Sequence, residues 1–497
     1  MLAVDDQRPC PKVPARLNLA RHVLFSNSAP DDAIALTVLG LDTTEVWRFG
    51  ELRHSVLATA AGFVKSGLSV GDRILMRIGN SPDFPVVFLG AIAAGLIPVP
   101  TSAALGPSEI TRIADMLSPD AIVAGPDIPL PDHRAPLLYP DQLAKAKPLT
   151  DLADTLSDDP AYIVFTSGTS GGPMGVVHAH RAIWARGMMF NGWYDLRSDD
   201  RMLHAGAFNW TFTLGTGLMD PWTKGASALV LAPGTPIDAL PQLAREHEAT
   251  IIAGAPGVFR HLLKSPMPTL PKLRHVLVAG EKLPETLRQS WKSATHTDMH
   301  EAFGQTECST FISGSPTRPA PAGTLGFTQP GRAVAVLGPD GPVLRGELGA
   351  IAVHASDPGL RLGYLDDTRP PEGEWVLTGD MGVMRPDGAI EYHGRNDDIL
   401  TAGGFRIAPS EIEDAMLTHP DLEEAAAVDH ALTPETTVIA LHYTGKKLED
   451  DVLSTHAAKH LARYKQPRVF IHAQSLPRNA NGKLLRKTLR AANENTS

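Results

Sequence analysis

The stretch YIVFTSGTSGGPMG at residues 162–175 constrains this chain more than any other. A short apolar run with strand character passes directly into a loop of serine, threonine and glycine. Glycine lets a backbone take φ > 0 and bring its N–H groups close to an anion. Around Gly168 and Gly171, the hydroxyls of Thr166, Ser167, Thr169 and Ser170 add further donors, so the loop suits phosphate. Taken alone, the same composition also fits a surface linker. Its spacing is neither GxxxxGK[ST] nor GxGxxG, and two common nucleotide folds thereby lose support.

Length and charge set the outer limits. A chain of 497 residues exceeds what one hydrophobic core serves, so two or more domains are expected. Hydrophobic residues at 43% and charged residues at 20% are those of an ordinary soluble globular protein. The net charge of −10 argues against a nucleic-acid partner, which calls for a basic surface. With only Cys10 and Cys308 there is no disulfide framework, which agrees with a reducing cytosol. No basic segment followed by an apolar stretch opens the chain, so no secretory signal is expected and the expected location is cytoplasmic. The longest apolar run, 86–100, contains glycines and is too short to span a bilayer; it reads as a buried helix followed by a strand.

Strand-like and helix-like segments alternate through the first 330 residues. Strands are expected at 73–78, 121–124, 227–231, 250–253 and 275–279, with helices at 84–94, 237–247 and 285–292. That alternation predicts βαβ units and mainly parallel sheets. From about residue 333 the apolar runs shorten and glycine turns multiply, at 339–341 and 386–388, predicting a small, mostly antiparallel β element.

The 166–175 loop resembles TSGTTGxPKG, the signature of the adenylate-forming superfamily of acyl-CoA synthetases, aryl-CoA ligases, luciferases and peptide-synthetase adenylation domains. Further resemblances follow in the family's order. FGQTE at 303–307 is similar to YGxTE, while TGD at 378–380 and GRNDD at 394–398 resemble the ribose-binding and hinge motifs. GGFRIAPSEIE at 403–413 and PRNANGK at 477–483 resemble the C-terminal motifs. Two departures stand out: Met174 replaces the usual loop lysine, and Phe303 replaces the usual tyrosine.

The resemblance implies an α/β fold with a large, multi-subdomain N-terminal domain, residues 1–395, that binds ATP and acyl group. A small mobile α+β domain, residues 396–497, follows, turning about Asp397 between an adenylating and a thioester-forming orientation. It also implies roles. Lys483 stabilises the pentavalent transition state, Thr306 donates to the α-phosphate, and Glu307 holds Mg²⁺. Phe303, Gly304 and Gln305 line the nucleotide, with the Phe303 ring stacking on adenine. Asp380 accepts from the ribose hydroxyls and Arg395 reaches the ribose or a phosphate. Gly404 and Arg406 line the pantetheine path of CoA. Gly280, Glu281 and Lys282 follow a predicted strand end, where open α/β sheets place ligands, and are assigned to the nucleotide.

For the acid, Gly304 stands where acetate-type relatives carry a bulky tryptophan, predicting a deeper acyl pocket, and Trp210 offers a flat apolar wall. His178, His180 and His204 lack a third ligand at metal spacing and read as ordinary buried histidines. The function expected is an AMP-forming acid:CoA ligase using ATP, Mg²⁺ and CoA on a short- or medium-chain or aromatic carboxylic acid. Loading of a separate acyl carrier protein, or a non-catalytic nucleotide-binding homologue, are the alternatives. A small-molecule acid is the expected partner, with no nucleic acid and no membrane span, and a homodimer is left open.

Overall fold

The computed structural model describes residues 1–167, 173–367, 369, 372–396, 398, 400–402, 405–407, 409–433, 436–478 and 484–494. The chain divides into two compact units. The larger comprises Asp6–Ala333 and Val353–Val376, the smaller Met1–Asp5, Val334–Ala352 and Leu377–Ser497.

A nine-stranded sheet organises the larger unit. In spatial order, Asp298–Gln305, His275–Ala279, Ile251–Gly254, Arg201–His204, Ser227–Leu231 and Ile34–Leu39 run parallel. Strands Ser309–Ser313 and Thr44–Arg48 flank them antiparallel. The central strands are apolar almost throughout because both faces are covered, as parallel sheets require. On one face, helices Leu240–Glu246, Pro256–Leu262 and Glu285–Thr295 bring Leu243, Phe259 and Trp291 onto Leu203, Ile252 and Val276. On the other, helices Phe49–Lys65 and Asp83–Ala93 pack Val56, Phe63 and Phe88 into a core with Leu36, Ala228 and Val230.

A second parallel sheet orders Ile97–Pro100, Arg73–Arg77, Ala121–Ala124 and Leu137–Leu138. The apolar run at 86–100 is thus a buried helix and a strand, parted by Gly95 at φ 79°. Gly90 is needed for the helix pair to close, since a Cβ there would lie 2.9 Å from Thr59 Cγ2. The helix expected over 237–247 is a 3₁₀ turn, Ile237–Ala239, running into Leu240–Glu246, with Pro241 in its first turn. A three-stranded sheet, Gly363–Tyr364, Pro173–Ala179 and Pro160–Ser167, completes this unit's site-bearing parts.

Ala333–Gly338, Leu348–His354, Trp375–Met384 and Ile390–Arg395 form a sheet, the last two antiparallel, and most of its residues, though not Trp375, belong to the smaller unit. The same compact unit takes in the chain beyond residue 396. There Leu422–Thr433, Thr436–Gly445 and Val469–His472 form a sheet, and helices Pro409–Met416 and Asp450–His460 bury Ile412, Met416, Leu453 and Ala457 against Ala427, Ile439 and Leu441. Among the described residues, no helix is long and apolar enough to cross a membrane.

Candidate active site

The serine/threonine loop joins two antiparallel strands, Pro160–Ser167 and Pro173–Ala179, anchored by buried Ile163, Val164, Val176 and Val177. At its neck Thr166 faces Met174 and Ser167 faces Pro173. Gly168, Thr169, Ser170 and Gly171 lie outside the described residues.

The 303–307 motif ends the edge-most parallel strand and turns into Ser309–Ser313. The ladder slips between Phe303 and Gly304, and the backbones close so tightly that a Cβ on Gly304 would lie 2.1 Å from Ser309 O. The direction a side chain would take at 304 is therefore filled by the neighbouring strand. The lack of a side chain there reflects this approach, and the deeper pocket inferred from it does not follow. The Phe303 ring meets Phe311 edge-on, centroids 5.4 Å apart at 81°.

Glu307 is held from a distant segment. Its Oε1 accepts from the Tyr364 hydroxyl at 3.3 Å, and its backbone carbonyl accepts from the Arg361 N–H at 2.8 Å. Partial burial and the Glu307 charge push the Tyr364 hydroxyl up from its ordinary range, so it remains a donor at neutral pH.

Two buried ion pairs flank the residues that follow. Ser309, at φ 66°, accepts on Oγ from Arg186 Nη1 at 2.6 Å. Arg186 grips Asp220 through Nε at 2.8 Å and Nη2 at 2.6 Å, and Tyr194 donates to the same carboxylate at 2.7 Å. Burial alone would lower the Arg186 pKa, but Asp220 outweighs it and the guanidinium stays charged. Behind Cys308, Arg332 Nη1 lies 2.7 Å from both oxygens of Asp357. Burial, with the Asp357 charge, pushes the Cys308 thiol well up and keeps it protonated.

At the carboxyl ends of the parallel strands, Gly280 takes φ 96° and lies against the indole of Trp210; a Cβ there would meet Cζ2 at 2.7 Å. Trp210 stands edge-on to Phe212, centroids 5.1 Å apart, and Phe212 in turn to His204 at 4.5 Å. Burial holds His204 down to about 3, so it is neutral, with Nδ1 accepting from the Gly206 N–H at 3.0 Å. Glu281 and Lys282 follow Gly280, half-buried. Burial likewise lowers His178 to about 3 and His180 to about 4.

In the smaller unit Asp380 and Arg395 are register partners, with Arg395 Nη1 3.7 Å from Asp380 Oδ2. Tyr392 donates to Asp380 Oδ1 at 3.2 Å, and the Asp380 N–H donates to Thr378 Oγ1 at 3.1 Å. Burial, then the Asp380 charge, keeps the Tyr392 hydroxyl well above its ordinary range. Asp397, Gly404 and Lys483 lie outside the described residues, whereas Arg406 sits in strand Phe405–Ile407 opposite Thr401. Asp398, beside Asp397, pairs with Arg490 at 3.2 Å.

The structure thus brings Thr306 and Glu307 onto the turn that ends Phe303's strand, Trp210 onto Gly280, and Asp380 onto Arg395. Sequence reasoning did not single out Tyr364, Arg361 or Tyr392. A tyrosine 57 positions beyond its carboxylate gives no spacing signal.

Residues 25–365 match the AMP-binding enzyme family, and residues 411–483 match the AMP-binding enzyme C-terminal domain. The chain belongs to the AMP-binding enzyme family. This places it in the adenylate-forming superfamily, as an ATP-dependent, AMP-forming ligase. The human mitochondrial acyl-coenzyme A synthetase ACSM2A is 29% identical over 96% of this chain and 91% of its own length. The benzoate–CoA ligase of Thauera aromatica is 28% identical, covering 97% of this chain and 98% of its own. Among solved structures, a benzoate CoA ligase from Burkholderia xenovorans superposes with TM-score 0.85 at 25% identity, over 95% of this chain and 99% of that one. The anthranilate CoA ligase AuaEII, in complex with anthranoyl-AMP, shares the fold of this AMP-binding enzyme at TM-score 0.88 and 24% identity, over 97% of this chain and 98% of that one.

Proposed function

We propose that this AMP-binding enzyme is an acid:CoA ligase for an aromatic or short- to medium-chain carboxylic acid. One observation carries the reading: relatives named as acyl-CoA synthetases and benzoate–CoA ligases align along nearly the whole chain, through the segments assigned to both half-reactions. In the first, a carboxylate oxygen attacks the α-phosphorus of ATP, the bond to the leaving phosphate breaks and pyrophosphate departs. In the second, the CoA sulfur attacks the acyl carbon, the bond to AMP breaks, and the thiol proton passes to solvent. Residues 1–395 supply the nucleotide and acyl site, and 396–497, hinged at Asp397, supply Lys483 and then Gly404 and Arg406.

Bringing two anions together is the main obstacle, so donors and cations dominate the assignment. Thr166 to Gly171 and Thr306 surround phosphate, Lys483 meets the charge developing at the α-phosphorus, and Asp380 and Arg395 take the ribose. Phe303 to Gln305 and Gly280 to Lys282 flank the base. Glu307 fits Mg²⁺ as a single carboxylate whose one oxygen is oriented by Tyr364, a donor set that substrate phosphates and water complete. The Mg²⁺ would neutralise phosphate charge as pyrophosphate leaves. Trp210, edge-on to Phe212 and beside a neutral His204, offers the acyl group an uncharged wall, which favours a ring or alkyl tail over a second carboxylate.

Pyrophosphate release across acids from acetate and octanoate to benzoate and malonate, with and without CoA, tests the reading. Catalytic release is expected for benzoate-like or medium-chain acids only when CoA is present. Stoichiometric adenylate that CoA fails to discharge would overturn the CoA step. Lys483→Ala is expected to slow adenylation by about 100-fold or more while leaving thioester formation from preformed adenylate within a few-fold.

A further inference from the structure

One segment ties the strand that leaves the phosphate loop to the carboxylate of Glu307. Segment 357–365 begins at Asp357, pinned by buried Arg332 and accepting the Gly359 N–H on Oδ1 at 2.8 Å. Arg181 fixes its middle, donating from Nη1 to the carbonyls of Pro358 at 2.5 Å and Leu360 at 2.9 Å. Its far end is stitched to Pro173–Ala179. The Leu362 N–H donates to Val177 O at 2.8 Å, Gly363 and Tyr364 pair with Val177 and Val176, and the Leu365 N–H donates to Gly175 O at 2.7 Å. Between these anchors the segment reaches the turn twice, through the Arg361 N–H to Glu307 O and the Tyr364 hydroxyl to Glu307 Oε1. The Arg361 guanidinium lies over the Tyr364 ring, 4.3 Å from its centroid, and holds it in place.

We propose that segment 357–365 is a brace that sets the Glu307 carboxylate relative to the phosphate-loop hairpin, with Tyr364 as the positioning residue that orients it. This rests on the reading of Glu307 as the metal ligand. A glutamate side chain otherwise turns freely about its last bond. A hydrogen bond to Oε1 fixes the carboxylate plane and aims the second oxygen in one direction. Mg²⁺ demands near-octahedral geometry, so a ligand aimed in advance binds it more tightly than one that must be ordered on binding.

Calorimetric titration of the full-length protein with ATP, over a series of Mg²⁺ concentrations, tests this without knowledge of the acid. Tyr364→Phe keeps the ring and its contact with Arg361 but removes the donor. It is expected to weaken Mg²⁺-dependent ATP binding about tenfold while leaving Mg²⁺-free binding and the melting temperature unchanged. In a Glu307→Gln background the same change is expected to add nothing, because the group it acts on has gone. Wild-type Mg²⁺ dependence in Tyr364→Phe, or an equal effect of Tyr364→Phe with and without Glu307, overturns the brace alone. If Glu307→Gln itself keeps full Mg²⁺ dependence, the metal assignment fails and the brace has nothing to position.

Discussion

The turn bearing Thr306 and Glu307 and the hairpin bearing Asp380 and Arg395 are held in opposite ways. The hairpin is held mainly from nearby: Thr378, Tyr392 and Arg395, all within 17 positions of one another, supply bonds within it, while the Thr378 hydroxyl also donates to Ile351 O at 2.8 Å. The turn depends on partners far along the chain, with Arg186 123 positions from Ser309 and Tyr364 57 positions from Glu307. Local bonds form whenever the hairpin forms, whereas the turn takes its shape only after the nine-stranded sheet has closed. Damage far from the turn should therefore reach Glu307 more readily than damage far from the hairpin reaches Asp380.

Acid gives the largest expected break in that comparison. His178, His204 and His300 are held down to about 3, and His180 and His275 to about 4, each chiefly by burial, and all five belong to the unit carrying the turn. The unfolded chain protonates these histidines below about 6.5 while the folded chain refuses the proton. Stability is therefore full above that pH and falls as pH drops toward 4. Each contributes a loss of about 2 kcal/mol at pH 5. All seven tryptophans lie in the same unit, so their emission in melts at pH 7 and pH 5 reads this loss directly.

A single-site break comes next. Asp220→Ala strands Arg186 in the core and is expected to cost about 3–5 kcal/mol, read as a lower urea midpoint in tryptophan emission. Asp220→Ala with Arg186→Met, which removes both charges, should recover much of that stability yet leave adenylation impaired, because Ser309 has lost its donor. In the hairpin, Tyr392→Phe removes one local bond and is expected to cost about 1 kcal/mol, without touching Mg²⁺ dependence. The smallest effect is at the loop neck. Met174→Lys adds a cation opposite Thr166 and is expected to lower the KM for ATP about threefold; an unchanged KM would remove position 174 from the phosphate site.

The strands at 121–124, 227–231 and 275–279 were legible because buried parallel strands announce themselves as uninterrupted apolar runs. The motifs were legible because glycine, acid and hydroxyl residues at set spacings have few other uses in combination. Gly363–Tyr364 was not, since two residues carry no periodicity. Nor was the grouping of residues 377–395 with the chain beyond 396, which depends on packing between segments rather than on any composition shift. The contact between Trp210 and Gly280 shows the same limit from another direction. Trp210 was visible as a large apolar residue, but its seat on Gly280 required the positive φ of that glycine.

For anyone reshaping this protein, the close approach at Gly304 sets a mechanical rule. Any side chain installed there would press on the backbone of Ser309, which carries the bond from Arg186 and lies two residues beyond Glu307. A side chain at 304 therefore disturbs the turn itself. Trp210 rests on a different strand end, at Gly280, so changes there do not press on that turn.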